Sequence, residues 1–137
     1  MTKEDVLELL PNGTMGYFST VNANGFPETR FFQFQFEEDG KFYFATNNTK
    51  DVFKEVVNNP KVGFTTAEAT GKHVIRIVGT ATIVTKPSEK EEAYSKMDEI
   101  VLSLYKTWSN PLLEILYISD CEMKFTKGFG MPQVIKG

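Results

Sequence analysis

Polar and apolar positions alternate most cleanly over residues 27–36, where Phe32, Phe34 and Phe36 fall on one face and Gln33 and Gln35 on the other. A period of two predicts a half-buried strand. Runs rich in β-branched and aromatic residues predict further strands at 14–22, 42–44, 61–67, 73–85, 113–119 and 121–126, the last two meeting at Asp120. Asn22-Ala23-Asn24-Gly25 and Glu37-Glu38-Asp39-Gly40 read as hairpin turns, with Asn24 and Gly25 suited to positive φ. The second turn implies that 27–36 pairs with 41–46. A further turn is expected at 68–71, and Gly79, inside a long strand, is expected to mark a bulge or a bend.

The period lengthens to that of a helix in three places. Thr2 precedes a short helix with Val6, Leu9 and Leu10 as its apolar stripe. Val52, Phe53, Val56 and Val57 form the apolar face of a second helix, for which Asn48 or Thr49 is the natural cap. Ser88-x-x-Glu91 resembles a capping box and opens a third, running through Ala93, Met97, Ile100, Val101 and Leu104 to about Tyr105. Residues 127–137 are expected to be irregular. Six or seven hairpin-linked strands with three inserted helices and no βαβ repeat predict a mainly β (α+β) fold, a small antiparallel barrel forming one domain over 1–137.

Composition removes several function classes. The chain has 137 residues and a net charge of −3, which gives no general attraction to nucleic acid or acidic membranes. One histidine, His73, and one cysteine, Cys121, leave too few ligands for a zinc or iron–sulfur site built within the chain, so no metal is expected. An unpaired cysteine fits a reducing compartment. With no signal-peptide pattern and no apolar run near the ~20 residues of a membrane span, a cytoplasmic location is expected. His73 sits among β-branched residues without a nucleophile nearby in sequence, no carboxylate pair stands out, and neither a Rossmann fingerprint nor a P-loop is present.

What remains is a set of groups suited to a phosphate. Lys50 lies at a helix start, where free backbone N–H groups favour an anion. Arg30 lies inside an apolar strand, where its charge needs a partner. With 27–36 paired to 41–46, Arg30, Thr46, Thr49 and Lys50 converge on one dianion, Arg30 as a two-pronged donor. The alternative for Arg30 is a salt bridge to Glu28 or to a carboxylate of another strand. For Lys50 it is a solvated side chain beside a capped helix.

The order of these features resembles a known family. An R-x-x-x-x-x strand, an E-D-G turn, an aromatic strand, T-x-x-[ST]-K, a helix ending N-N-P, a strand after N-P-K-V and a long strand carrying R-I-x-G-x-A are similar to the pyridoxamine 5′-phosphate oxidase-like, FMN-binding split-barrel superfamily. The likeness is greatest to its short members, the nitroimidazole-resistance (nitroreductase-like) and general-stress-protein groups. The resemblance implies a split β-barrel, FMN held non-covalently at a homodimer interface, and a small-molecule electron donor and acceptor. It places Arg30, Thr49 and Lys50 at the FMN phosphate, Phe31, Phe32, Gln33, Phe34 and Gln35 along the flavin ring, and Ala45 and Thr46 beside the ribityl chain. Arg76 and Gly79 would face the cofactor or the partner subunit.

Two departures argue against vitamin B6 oxidation. The chain lacks the C-terminal arginine–tryptophan segment of the oxidase, and Thr49 stands where the oxidase has arginine. The function expected is an FMN-dependent oxidoreductase passing electrons to a small organic acceptor, nitroaromatics included, with no catalytic residue assigned. A flavin-binding or sensing protein without fast turnover, and a cofactor-free interaction module, are the alternatives. Trp108 is read as an aromatic lid or as a core residue. Twelve phenylalanines exceed the needs of one small core, and an apolar dimer face would absorb the surplus.

Overall fold

A computed structural model describes residues 1–68 and 72–136, so residues 69–71 of the expected 68–71 turn lie outside the described part. Eight strands and four helices run in the order α1 (Lys3–Glu8), β1 (Met15–Val21), β2 (Pro27–Gln33), β3 (Phe36–Glu38), β4 (Lys41–Asn47), α2 (Asp51–Asn58), β5 (Lys61–Ala67), β6 (His73–Ile83), α3 (Pro87–Ser95), α4 (Glu99–Tyr105), β7 (Leu113–Lys127) and β8 (Gln133–Ile135). All strand pairings are antiparallel, in the order β2-β1-β5-β6-β7-β4-β3, with β8 beside β7.

β2 and β3 are consecutive in the chain yet lie at opposite ends of this order. The crossing takes two residues: the Phe34 N–H donates to Thr14 O (2.8 Å), and the Gln35 N–H donates to Tyr43 O (2.9 Å). The sheet curls until its two ends share one continuous strand path without closing, which is the split of a split barrel.

This crossing corrects the expected pairing. Only Phe36–Glu38 pairs with β4, while β2 pairs along its whole length with β1, which sets Arg30 opposite Phe18 and not level with Thr46. It also interrupts the alternation, since neighbouring Phe34 and Gln35 are both buried.

The barrel interior is filled by phenylalanine. Phe18, Phe34, Phe42, Phe44 and Phe64 are fully buried, with Val6 of α1, Leu10 just after it, and Val52 and Val56 of α2 against them. A second cluster lies across the sheet, where Tyr94 of α3, Met97 of the break before α4, and Val101 and Tyr105 of α4 cover Phe36, Leu113 and Ile115. β4 and β7 are therefore apolar on both faces, and Leu113, Ile115, Leu116 and Ile118 all have no exposed surface. Trp108 packs at the edge of the second cluster, the ordinary core role.

Turns and bulges follow local chemistry. Gly25 (φ +83°) and the Asp39–Gly40 pair (φ +53° and +78°) make the two hairpins; Asn24 does not take positive φ. The register of β6 and β7 slips between Val78 and Thr80, so Gly79 marks a bulge as expected. A Cβ there would meet Ser119 O at 2.5 Å and Ile118 Cγ2 at 2.8 Å. Asp120 (φ +52°) lies at this slip, and 113–127 is one bent strand rather than two.

The helices and the tail depart from expectation in several places. Val57 of α2 is exposed. Leu9 is exposed, and Leu7 packs on the core in its place. The third helix is two: α3 opens on Pro87 without a side-chain cap, and α4 restarts at Asp98, whose carboxylate accepts from the Ile100 N–H. That break turns Ile100 and Leu104 out to solvent. The tail is not wholly irregular, because β8 pairs with Met123–Phe125.

Candidate functional site

The turn between β4 and α2 consumes its own polar groups. Asn47 Oδ1 accepts from the Thr49 N–H (2.8 Å) and from Thr49 Oγ1 (2.7 Å). Asn48 Nδ2 donates to Pro111 O (2.7 Å) and to Glu114 (3.0 Å). The cap position passes to Lys50, whose ammonium cannot accept, so α2 begins with no side-chain cap where Asn48 or Thr49 was expected. Its first N–H groups are left to solvent or to a ligand.

Thr46 is the penultimate residue of β4, just before this turn. It is 3% exposed, and its Oγ1 has no hydrogen-bond partner among the described residues. A buried hydroxyl without a partner costs about 1–3 kcal/mol.

Arg30 points to the same side of the sheet as Phe18, beneath α2. Nη2 donates to Glu55 Oε1 (2.8 Å), and Nη1 to Thr20 Oγ1 (2.9 Å), Phe18 O (3.2 Å) and Glu28 O (3.3 Å). The carboxylate partner comes from α2 and not from Glu28 or another strand. The Glu28 side chain instead accepts from Asn22 Nδ2. Sequence reasoning missed Glu55; its only signal was a carboxylate on the polar face of an amphipathic helix. α2 lies against both β1 and β4, with Lys50 at its start and Arg30 bound to Glu55 in its second turn, although Arg30 does not face β4.

The other sequence-predicted positions divide by face. Phe31 is 60% exposed on the outer side of the sheet, its ring 5.4 Å from that of Tyr17. Phe32 points inward, against Phe18 and Phe44. Gln33 Nε2 donates to Gly13 O (3.2 Å), while Gln35 Nε2 donates to Gln33 Oε1 (3.1 Å) and Gln35 Oε1 accepts from the Asp98 N–H (2.8 Å). Those amides tie the strand crossing to α4, and with Phe34 buried beside them, Phe31 is the most open side chain of this stretch. Ala45 packs at the margin of the second core cluster.

Arg76 lies on the outer face, opposite Thr65 and Lys124, so within one chain it does not join Arg30. It borders a groove of about 410 Å³, with Ser19, Thr20, Gly63, Thr65, Val78 and Lys124 among its walls. That volume is of ligand size. Thr20 belongs to both regions, since it lines the groove and bonds Arg30.

Protein-borne nucleophilic chemistry finds no support. Burial pushes the Cys121 thiol up to about 11, with Asp120 adding to the effect, so the sulfur stays protonated at neutral pH. His73 is paired with Glu68 at the mouth of the β5–β6 connection. No cluster of metal-ligating side chains occurs among the described residues. No helix there is long and apolar enough to cross a membrane.

The family model described as pyridoxamine 5′-phosphate oxidase matches residues 2–114. No curated protein matches the chain. Among solved structures, a NimC/NimA family protein from Clostridium acetobutylicum is 27% identical, with a TM-score of 0.79 over 96% of this chain and 90% of that one. A pyridoxamine 5′-phosphate oxidase-related, FMN-binding protein from Nostoc punctiforme PCC 73102 shares the fold at 14% identity (TM-score 0.70, 87% of this chain and 76% of that one). An F420 reductase shares it at 16% identity (TM-score 0.63, 85% and 93%). With its split barrel and a family match over most of its length, the chain belongs to the pyridoxamine 5′-phosphate oxidase-like family.

Proposed function

We propose that the chain is an FMN-dependent oxidoreductase of the cytoplasm, built as one domain and acting as a homodimer. The carrying observation is the uncapped start of α2, which follows by one short turn the buried and unpartnered Thr46 Oγ1. Lys50 at the cap position and the free N–H groups of the first turn of α2 offer donors to one phosphate, and Arg30, bound to Glu55 in the second turn, supplies a second cation along the same helix. Two cations suit a single terminal phosphate better than the longer phosphorylated tail of a deazaflavin. Bound there, FMN would supply the redox chemistry, taking electrons from a reduced nicotinamide and passing them to a small organic acceptor such as a nitroaromatic. The protein holds the phosphate and excludes water from the ring; no side chain is assigned as acid or base.

Titration of purified protein with FMN and with riboflavin, which lacks the phosphate, tests the site. Tighter binding of FMN is expected. Thr46→Val is expected to leave the unliganded protein as stable or up to about 3 kcal/mol more stable, since the unsatisfied hydroxyl is gone, and to weaken FMN. Protein that takes up no FMN sinks the reading. A flavin that binds yet is bleached by neither NADH nor NADPH would make the chain a binding protein rather than an enzyme.

The dimer rests on the outer face. Tyr17, Phe31, Val78 and Val134 are each at least half exposed, and Phe31, Tyr17, Thr65, Arg76, Lys124 and Val134 run in register across neighbouring strands. An apolar surface of this kind suits a second copy. Phe31→Asp sets a carboxylate at its β2 end, beside Tyr17, and is expected to weaken the dimer by about 2 kcal/mol or more, the scale of an aromatic hot spot. Sedimentation velocity reads the shift, and a monomeric wild-type protein that binds FMN tightly would contradict the shared site.

A further inference from the structure

Arg30 does not present its whole guanidinium to a ligand, because one end is already occupied. Thr20 Oγ1 donates to Glu55 Oε1 (2.5 Å), and the same two oxygens accept from Nη1 (2.9 Å) and Nη2 (2.8 Å) of Arg30. Carboxylate oxygen and hydroxyl therefore sit side by side across the Nη1/Nη2 end of the fork. A guanidinium carries five N–H bonds. Nη1 spends both of its own on Thr20 and on the carbonyls of Phe18 and Glu28. The Nε–H and the second Nη2–H have no acceptor among the described residues, and these two form the other paired edge of the plane.

We infer that Glu55 and Thr20 are positioning residues: they lock Arg30 by its far end and turn its Nε/Nη2 edge toward the phosphate. The inference rests on the phosphate site proposed above and deepens it. Three elements make the lock, since Thr20 comes from β1, Arg30 from β2 and Glu55 from the helix that Lys50 opens. The Arg30 side chain keeps 25% of its surface open and Glu55 15%, so the ion pair is largely enclosed while Arg30 retains some access to solvent. A fork fixed in advance loses less rotamer freedom when a two-pronged acceptor arrives. A rival reading follows from the same contact, in which Glu55 competes with the phosphate for Arg30. The two readings predict opposite signs.

FMN and riboflavin affinities of the full chain, measured for wild type, Glu55→Ala, Glu55→Gln and Thr20→Val, decide between them. Glu55→Ala is expected to weaken FMN about tenfold, on the order of one charge-assisted hydrogen bond, and to leave riboflavin unchanged. Glu55→Gln keeps an acceptor oxygen in place and is expected to restore most of the FMN affinity. Thr20→Val should fall in the same direction as Glu55→Ala, which keeps the test open if that variant does not fold. Tighter FMN binding by Glu55→Ala or Glu55→Gln overturns the inference in favour of competition. A parallel loss of FMN and riboflavin overturns it in favour of a purely structural role. Wild-type protein that binds FMN no better than riboflavin removes the phosphate site itself, and the inference with it.

Discussion

Phe44→Ala is expected to destabilise the protein by about 3–5 kcal/mol, the cost of removing a large buried ring and leaving a cavity behind. Phe44 is fully buried, and its ring lies 5.0 Å from Phe64, 5.1 Å from Phe18, 5.8 Å from Phe32 and 5.9 Å from Phe34. No other aromatic side chain of the barrel joins so many strands at once, since these partners come from β1, β2, the β2–β3 crossing and β5. Each aromatic pair adds about 0.5–1.5 kcal/mol beyond area burial, and four pairs are lost together. Small domains are stable by only about 5–15 kcal/mol, so a large part of the total is at stake. Urea unfolding measures the loss. A value below about 1 kcal/mol would mean that the neighbouring rings collapse into the space, against the close packing of protein interiors. Thr46 lies one pleat further along the same strand, so Phe44→Ala should also loosen the candidate phosphate site.

Arg30→Ala is expected to reduce FMN affinity by about 10- to 150-fold, equivalent to the 1.5–3 kcal/mol of a hydrogen bond to a charged group. Riboflavin affinity should change far less, because the lost contact is with the phosphate. The substitution also leaves Glu55, 15% exposed, without its cation. A fall in stability of about 1–3 kcal/mol should accompany the loss of ligand, the desolvation cost of a stranded partner. Arg30→Lys keeps the charge but not the planar fork, so it should restore stability in part and FMN affinity poorly. Equal loss of both ligands would show that Arg30 supports the barrel and does not hold a phosphate. FMN binding that persists at the wild-type level would remove Arg30 from the site.

The residues of the candidate site stand out in the sequence more readily than their geometry does. Arg30 and Lys50 stand out in a chain because a cation inside an apolar strand and a lysine at a helix start are both uncommon placements. The proposed meeting of Arg30 with Thr46 across a hairpin did not survive: the Asp39–Gly40 turn pairs only three residues of β3 with β4. Arg30 instead pairs with Glu55 of α2. Glu55 was invisible, since nothing in the helix distinguishes it from an ordinary surface glutamate. The cap was misplaced for a similar reason. Asn47, Asn48 and Thr49 are each good cap residues, and only the folded turn decides that they bond to one another, to Pro111 and to Glu114.

By itself the sequence determined what depends on neighbours in the chain. Strand and helix types, the two hairpins, the bulge at Gly79 and the β-rich class all follow from side-chain period and from the φ that glycine permits. The order of its motifs was enough to point to a family. Tertiary structure alone decided which strands meet, because a pleated edge of N–H and C=O groups is much the same on every strand and carries no address for its partner. That choice set β2 against β1, crossed the chain at Phe34 and Gln35, and buried both of them. It also placed α2 over Arg30, so that an isolated cation in the sequence became one held by Glu55 and Thr20.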